Sequence, residues 1–237
     1  MDYDALLTRL ARGEKERVDL SRTGLATQAR IGVDLLQRGC GVAWVVRDRD
    51  ELNVARSLLT VFSAELSSGE ETGDFRSRSW TALSPFTVRS ASRSGWTERL
   101  AVLYALRYGQ ARGIVLTPDN LLPHLVPLDF FDEQQLQLVR GEEVSPDMVL
   151  EQAVLWGYER VPLVANPGEV ARRGDILDIL PPGYDKPLRF EFFGDLIEEI
   201  RVFDLGTQRS RADLNEALIL PVYPVRQDEA GRRLREA

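Results

Sequence analysis

The stretch GEVARRGDILDILPPG, residues 168–183, decides how the second half of the chain folds. Arg172, Arg173, Asp175 and Asp178 are set into an otherwise apolar, strand-like run, between a Gly-Glu turn and a Pro-Pro-Gly stop. The Gly-Asp pair inside the run is turn chemistry, so the pattern is that of a β-hairpin. Its charges have two readings: the solvated edge of that hairpin, or a docking surface.

Strand signals continue on both sides. RVPLVA (160–165) precedes the hairpin, and LRFEFF (188–193), LIEEIRVF (196–203) and EALILPV (216–222) follow it, separated by NPG, PPGYDKP and GD turns. LRFEFF alternates, with Leu188, Phe190 and Phe192 on one face and Arg189, Glu191 and Phe193 on the other. That alternation predicts an antiparallel sheet wet on one face. A helix precedes it: SPDMVLEQAVLWG has Ser145 at the N-cap, Pro146 in the first turn and Gly157 just past the end.

Further upstream the period changes. DYDALLTRLA, TQARIGVDLLQRG, RDELNVARSLLTVFSAEL and RLAVLYALRYG read as helices, and GVAWVV (41–46) and GIVLTP (113–118) as strands. GVAWVV is a continuous apolar run, which predicts a strand buried on both faces. Helix and strand alternating at these spacings imply a parallel α/β sheet. The expected organisation is an α/β subdomain over 1–122, a β-rich α+β domain over 123–228, and the truncated start of a further subdomain over 229–237.

Composition narrows the classes. An apolar fraction of 43% with 28% charged residues suits a folded globular protein. The N-terminus lacks the apolar core of a signal peptide, and no run approaches the roughly 18–20 apolar residues of a membrane span. A single cysteine, Cys40, suits a reducing compartment. A cytoplasmic protein without a membrane partner is expected. Residues 1–122 carry 17 Lys+Arg against 15 Asp+Glu, whereas residues 123–228 carry 10 against 20. The acidic second half argues against a broad nucleic-acid surface and favours a protein partner.

The sites an α/β sheet invites are poorly supplied. The nearest register to a phosphate loop is Gly24 to Ile31, with Ala29, Arg30 and Ile31 where glycine, lysine and a magnesium-binding hydroxyl belong. His124 and Cys40 are too few for a His/Cys metal cluster, and Cys40 reads as a small packed side chain. His124 reads as structural, and Glu142–Glu143 and Glu198–Glu199 as solvated faces. No catalytic, cofactor or metal residue is assigned, and an enzyme is not expected.

Read together, GYERVPLVANPGEVARRGDILDILPPG and PLRFEFFGDLIEEIRVFDLGTQRS resemble one family signature. It is the domain 2 pattern shared by the excision-repair subunit UvrB and the transcription-repair coupling factors. Gly157, Tyr158, Arg160, Glu169, Arg173 and Gly174 fit its first part, and Arg189, Glu191, Phe192, Phe193, Asp195 and Asp204 its second. The upstream half is similar to the coupling factors rather than to UvrB, which would carry a working phosphate loop. The resemblance implies a degenerate helicase-like α/β subdomain followed by a UvrB domain 2-like module, as a fragment of a longer protein.

What it implies functionally is recruitment of the damage sensor UvrA in transcription-coupled nucleotide excision repair. RNA polymerase, DNA, ATP and magnesium would belong to other domains of the parent, which resembles an ATP-dependent DNA translocase. The implied contacts are Arg160 and Arg173, with Arg172 and Phe192 beside them. Ala171 stands where the UvrB pattern has a further arginine, and Arg172 should point to the opposite face. The competing view pairs Arg160 and Arg173 with Asp175, Glu159 or Glu191 as sheet ion pairs. A DNA-binding or nucleotide-hydrolysing helicase-like domain is the alternative function.

Overall fold

The computed structural model describes residues 2–12, 22–63, 80–83, 92–121, 126–127, 129–207 and 209–224. They fall into two compact units, one drawn from Met1–Glu71, Arg76–Val88 and Ala105–Pro123, the other from Thr72–Phe75, Arg89–Tyr104 and His124–Ala237. His124, the polar loop at 67–79 and the charged tail at 226–237 lie outside the described residues.

The first unit contains α1 (Tyr3–Ala11), α2 (Leu25–Gln37), β1 (Val42–Val45), α3 (Arg49–Ser63), β2 (Trp80–Leu83) and β3 (Gly113–Leu116). β1 and β2 both run parallel to β3, giving the order β1-β3-β2. Ala29, Val33 and Leu36 of α2 and Leu52, Ala55 and Leu59 of α3 recur at helical spacing and close on Val115 and Trp80. α1 joins through Leu6 and Leu7, with the Tyr3 hydroxyl donating to Asp34 at 2.6 Å. Burial, and then the bond to Asp34, push the Tyr3 phenol up to about 12.

One expectation changes here. GVAWVV contains an edge strand whose Ala43 and Val45 face solvent, while Val42, Trp44 and, just past the strand, Val46 turn towards the core packed by α2 and α3. The Trp44 indole donates to Gln28 of α2 at 3.1 Å. The stretch compared with a phosphate loop is helix from Leu25 onward: Ala29 is in the core and Arg30 bridges to Asp34 at 2.9 Å.

The second unit takes in most of α4 (Arg93–Arg107), which starts six residues before the expected helix. Described residues 92–104 group with the β-rich unit. Tyr104 explains the grouping: its ring meets Phe131 edge-on at 5.4 Å and its hydroxyl donates to Gln135 at 3.1 Å. The unit continues with α5 (Phe130–Glu133), β4 (Leu136–Val139), α6 (Pro146–Leu155), β5 (Glu159–Arg160), β6 (Glu169–Arg173) and β7 (Ile176–Ile179). It ends with β8 (Leu188–Phe193), β9 (Leu196–Phe203), β10 (Ser210–Leu214) and β11 (Glu216–Ile219).

A six-stranded sheet runs β10-β9-β8-β7-β6-β5, antiparallel except for the β5–β6 pair. Val170, Leu177, Ile179, Leu188, Phe190, Ile200 and Val202 form its buried face. β11 pairs with β4 in a separate two-stranded sheet. Buried tyrosines anchor that sheet: the Tyr158 hydroxyl donates to Leu220 O at 2.6 Å, and the Tyr184 hydroxyl accepts from Leu218 N at 3.1 Å.

The hairpin of 169–179 is therefore interior to the sheet rather than at its edge. RVPLVA contributes only Arg160 to a strand, joined there by Glu159, since Pro162 has no N–H to donate to a ladder. The chain beyond is shaped by Glu169, whose carboxylate accepts from Ala165 N at 2.7 Å, Asn166 N at 2.9 Å and the Asn166 side chain at 2.9 Å.

Burial of Glu169 opposes its charge, but these hydrogen bonds, with Arg93 nearby, hold its pKa below the ordinary 4.5. A carboxylate depressed in the folded state stabilises it above the unfolded pKa and loses that contribution as pH falls through the folded one. Stability is thus expected to decline as pH drops below about 4.5, and Glu169→Gln to flatten that part of the profile. Urea midpoints measured against pH check this.

Among the described residues no helix is long and apolar enough to cross a membrane, and no group of His, Cys, Asp and Glu side chains could hold a metal ion.

Candidate functional site

Opposed residues in an antiparallel ladder share a face, so the pairing register maps the polar side of the large sheet. One row crosses it from Ala171 to Asp178, Arg189, Arg201 and Asp213, on β6 to β10 in turn. The neighbouring row is Arg173, Ile176, Glu191 and Glu199. The pattern that reads as a half-wet sheet thus places seven charged positions and two apolar ones, Ala171 and Ile176, side by side.

At the centre sits Asp178, 1% exposed. Arg189 grips it with two bonds, Nε to Oδ1 at 2.7 Å and Nη2 to Oδ2 at 2.8 Å. Arg173 adds a third, Nη2 to Oδ2 at 2.8 Å. The Arg189 guanidinium also lies over the Phe203 ring, 4.5 Å from its centroid. Hydrogen bonding to Asp178 holds Arg189 above its ordinary pKa despite burial. Towards β10, Arg201 is ringed by acid: it bonds Glu191 at 3.0 Å, pairs with Glu199 and reaches Asp213 at 3.6 Å. The face is therefore cationic near β6 and anionic near β9 and β10.

Two hairpin turns meet at one end of the sheet. The turns at Gly174-Asp175 and Gly194-Asp195 lie together there, because Phe192 N bonds Asp175 O at 2.8 Å. Both glycines have positive φ, 62° in each case, which tight hairpin turns require. Beside these turns the Arg173 side chain is 51% exposed and Phe193 is 75% exposed.

Residues 136–223 match the family of the UvrB interaction domain. That stretch is similar to a UvrB interaction domain. The chain is also similar to transcription-repair-coupling factors: 36% identical over 142 residues to that of Myxococcus xanthus, covering 60% of the chain and 12% of the relative. The Escherichia coli protein is 33% identical over 156 residues, covering 65% and 13%, and that of Staphylococcus aureus strain Mu50 is 35% identical over 142 residues, covering 59% and 12%. The matched stretch thus spans about an eighth of the length of these relatives.

Within the matched stretch the four residues singled out from sequence are dispersed. Arg173 is on the polar face, bonded to Asp178 rather than to Asp175 or Glu191. Arg172 points the other way, as the strand alternation requires, and is tied to Asp147 in the first turn of α6 and to Gly174 O. Arg160 is exposed on the edge strand in register with Val170, on the same side of β6 as Arg172. Glu159, its expected partner, pairs with Arg93 instead.

Phe192 needs correction. It is 4% exposed and belongs to the core face, packed in register with Ile197 at a bulge between β8 and β9. Its neighbour Phe193 is the aromatic at the surface. The alternation of LRFEFF already separated the two, and the selection of Phe192 overrode that signal. Ala171 is buried directly opposite Asp178, so the position that carries an extra arginine in the UvrB pattern is here part of the packing.

Proposed function

We propose that the UvrB interaction domain of this chain docks UvrA, in the service of transcription-coupled nucleotide excision repair. The match of residues 136–223 to that domain family carries the reading. The sheet end supports it: Arg173 offers planar, permanently charged donors, and Phe193 offers an apolar anchor held out by a rigid turn. Arg160 on the exposed edge adds a second arginine. The chain's part is recruitment in the cytoplasm, not chemistry. RNA polymerase, DNA and ATP-driven translocation are assigned to segments of the longer relatives that this chain does not match.

Titration of UvrA with the purified chain tests the reading. Arg173→Ala and Phe193→Ala should each weaken binding by about 1–3 kcal/mol while leaving the thermal midpoint nearly unchanged. Unchanged affinity in both variants removes this end of the sheet from the interface.

A further inference from the structure

The docking surface has a support that lies outside the matched domain. Arg93, the first residue of α4, pairs through its guanidinium with Glu159. Its Cδ and Cγ lie so close over Gly168 that a Cβ there would come within 2.7 Å and 3.1 Å of them. Gly168 O in turn accepts from Glu159 N at 2.9 Å, and Val161 N donates to Val170 O at 2.9 Å. β5 consists of Glu159 and Arg160 alone and has β6 as its only neighbour in the sheet.

A two-residue pairing on an exposed edge holds a strand weakly against fraying. The Arg93–Glu159 pair is the side-chain tie that fastens it from above. We propose that Arg93 is a positioning residue for Arg160, a role that rests on the docking reading above. Through Glu159 it fixes the edge strand, so that Arg160 is presented to an acidic patch of the partner already ordered. An arginine held in place loses less freedom on binding than one on a frayed edge. The functional module then starts at α4 and not at residue 136.

The experiment uses the 237-residue chain, with UvrA as titrant, and compares Arg93→Ala, Arg160→Ala and the double variant. Each single change is expected to weaken binding about tenfold. The double variant should bind no more weakly than Arg160→Ala alone, because Arg93 acts only through Arg160. Arg93→Lys, which keeps the charge, should recover part of the loss. Glu159→Gln, a surface change that cannot disturb the packing over Gly168, should reproduce the Arg93→Ala defect. Amide hydrogen exchange should quicken at Glu159 and Val161 in Arg93→Ala and stay unchanged in β7 to β9.

Additive losses in the double variant, wild-type affinity in Arg93→Ala or Arg160→Ala, or unaltered exchange at β5 would each overturn the positioning role while docking stands. Failure of the wild-type chain to bind UvrA overturns the docking reading itself, and the positioning role with it.

Discussion

Asp178→Ala is expected to destabilise the second unit by about 3–5 kcal/mol, more than any other single change on the sheet. The carboxylate is 1% exposed and receives two bonds from Arg189 and one from Arg173. Removing it leaves the Arg189 guanidinium largely buried over Phe203 without the carboxylate it bonds. Breaking one side of a buried pair costs far more than the intact pair contributes, because the orphaned charge keeps its desolvation penalty.

Arg173→Ala makes the contrast. Arg173 is half exposed, and the two bonds from Arg189 still satisfy Asp178 without it. Its loss should cost about 0–1 kcal/mol. Urea unfolding followed by circular dichroism measures both. The two units can melt separately, so the transition is assigned with a second probe before midpoints are compared. A loss below about 1 kcal/mol for Asp178→Ala would mean that the sheet centre is wetter and more adaptable than the geometry indicates.

Gly113→Ala should be the most damaging small change in the first unit, at about 3 kcal/mol, the upper part of the range for overpacking. A Cβ at this position would lie 2.4 Å, 2.5 Å and 2.9 Å from three atoms of the Trp80 ring. The ring has nowhere to retreat, because its far edge already sits 3.0 Å from where a Cβ on Gly32 of α2 would be. β3 is the central strand, paired on both sides, so the backbone cannot yield without disturbing β1 or β2. Trp80→Leu should therefore rescue much of the Gly113→Ala defect, a coupling measurable by a double-mutant cycle. Equal losses with and without Trp80 would place the strain elsewhere.

Much of this was legible in the chain itself, and the reasons differ by element. Strong period and punctuation located α6, with Pro146 inside its start and Gly157, at φ 93°, just past its end. The β8–β9 hairpin followed from alternation and a Gly-Asp turn. β2, β4 and β10 escaped notice, because strands of four or five residues without turn residues on both sides carry too little period to stand out. The exposed face of β1 could not be read from VAWV, since an apolar run does not reveal whether its strand is central or at an edge.

The site divided in the same way. Arg173 and Arg160 were found through a family signature, and their types suited an interface. Their separation onto opposite sides of β6 depends on the pairing register, which no local pattern encodes. Arg189 and Asp178 belonged to the same signature, but only the cross-strand neighbourhood shows that they form one buried pair. Arg93 was out of reach for another reason. It lies in a helix that alternation assigned to the preceding subdomain, and its contact with Glu159 spans 66 residues.

The most direct test of the account is the affinity of UvrA for the intact 237-residue chain, set beside that for Arg173→Ala at matched stability. The account predicts a saturable complex with the wild-type chain that weakens by about 1–3 kcal/mol in the variant while its melting curve overlays that of the parent. A wild-type chain that is folded, with its urea transition intact, yet forms no complex with UvrA would contradict it.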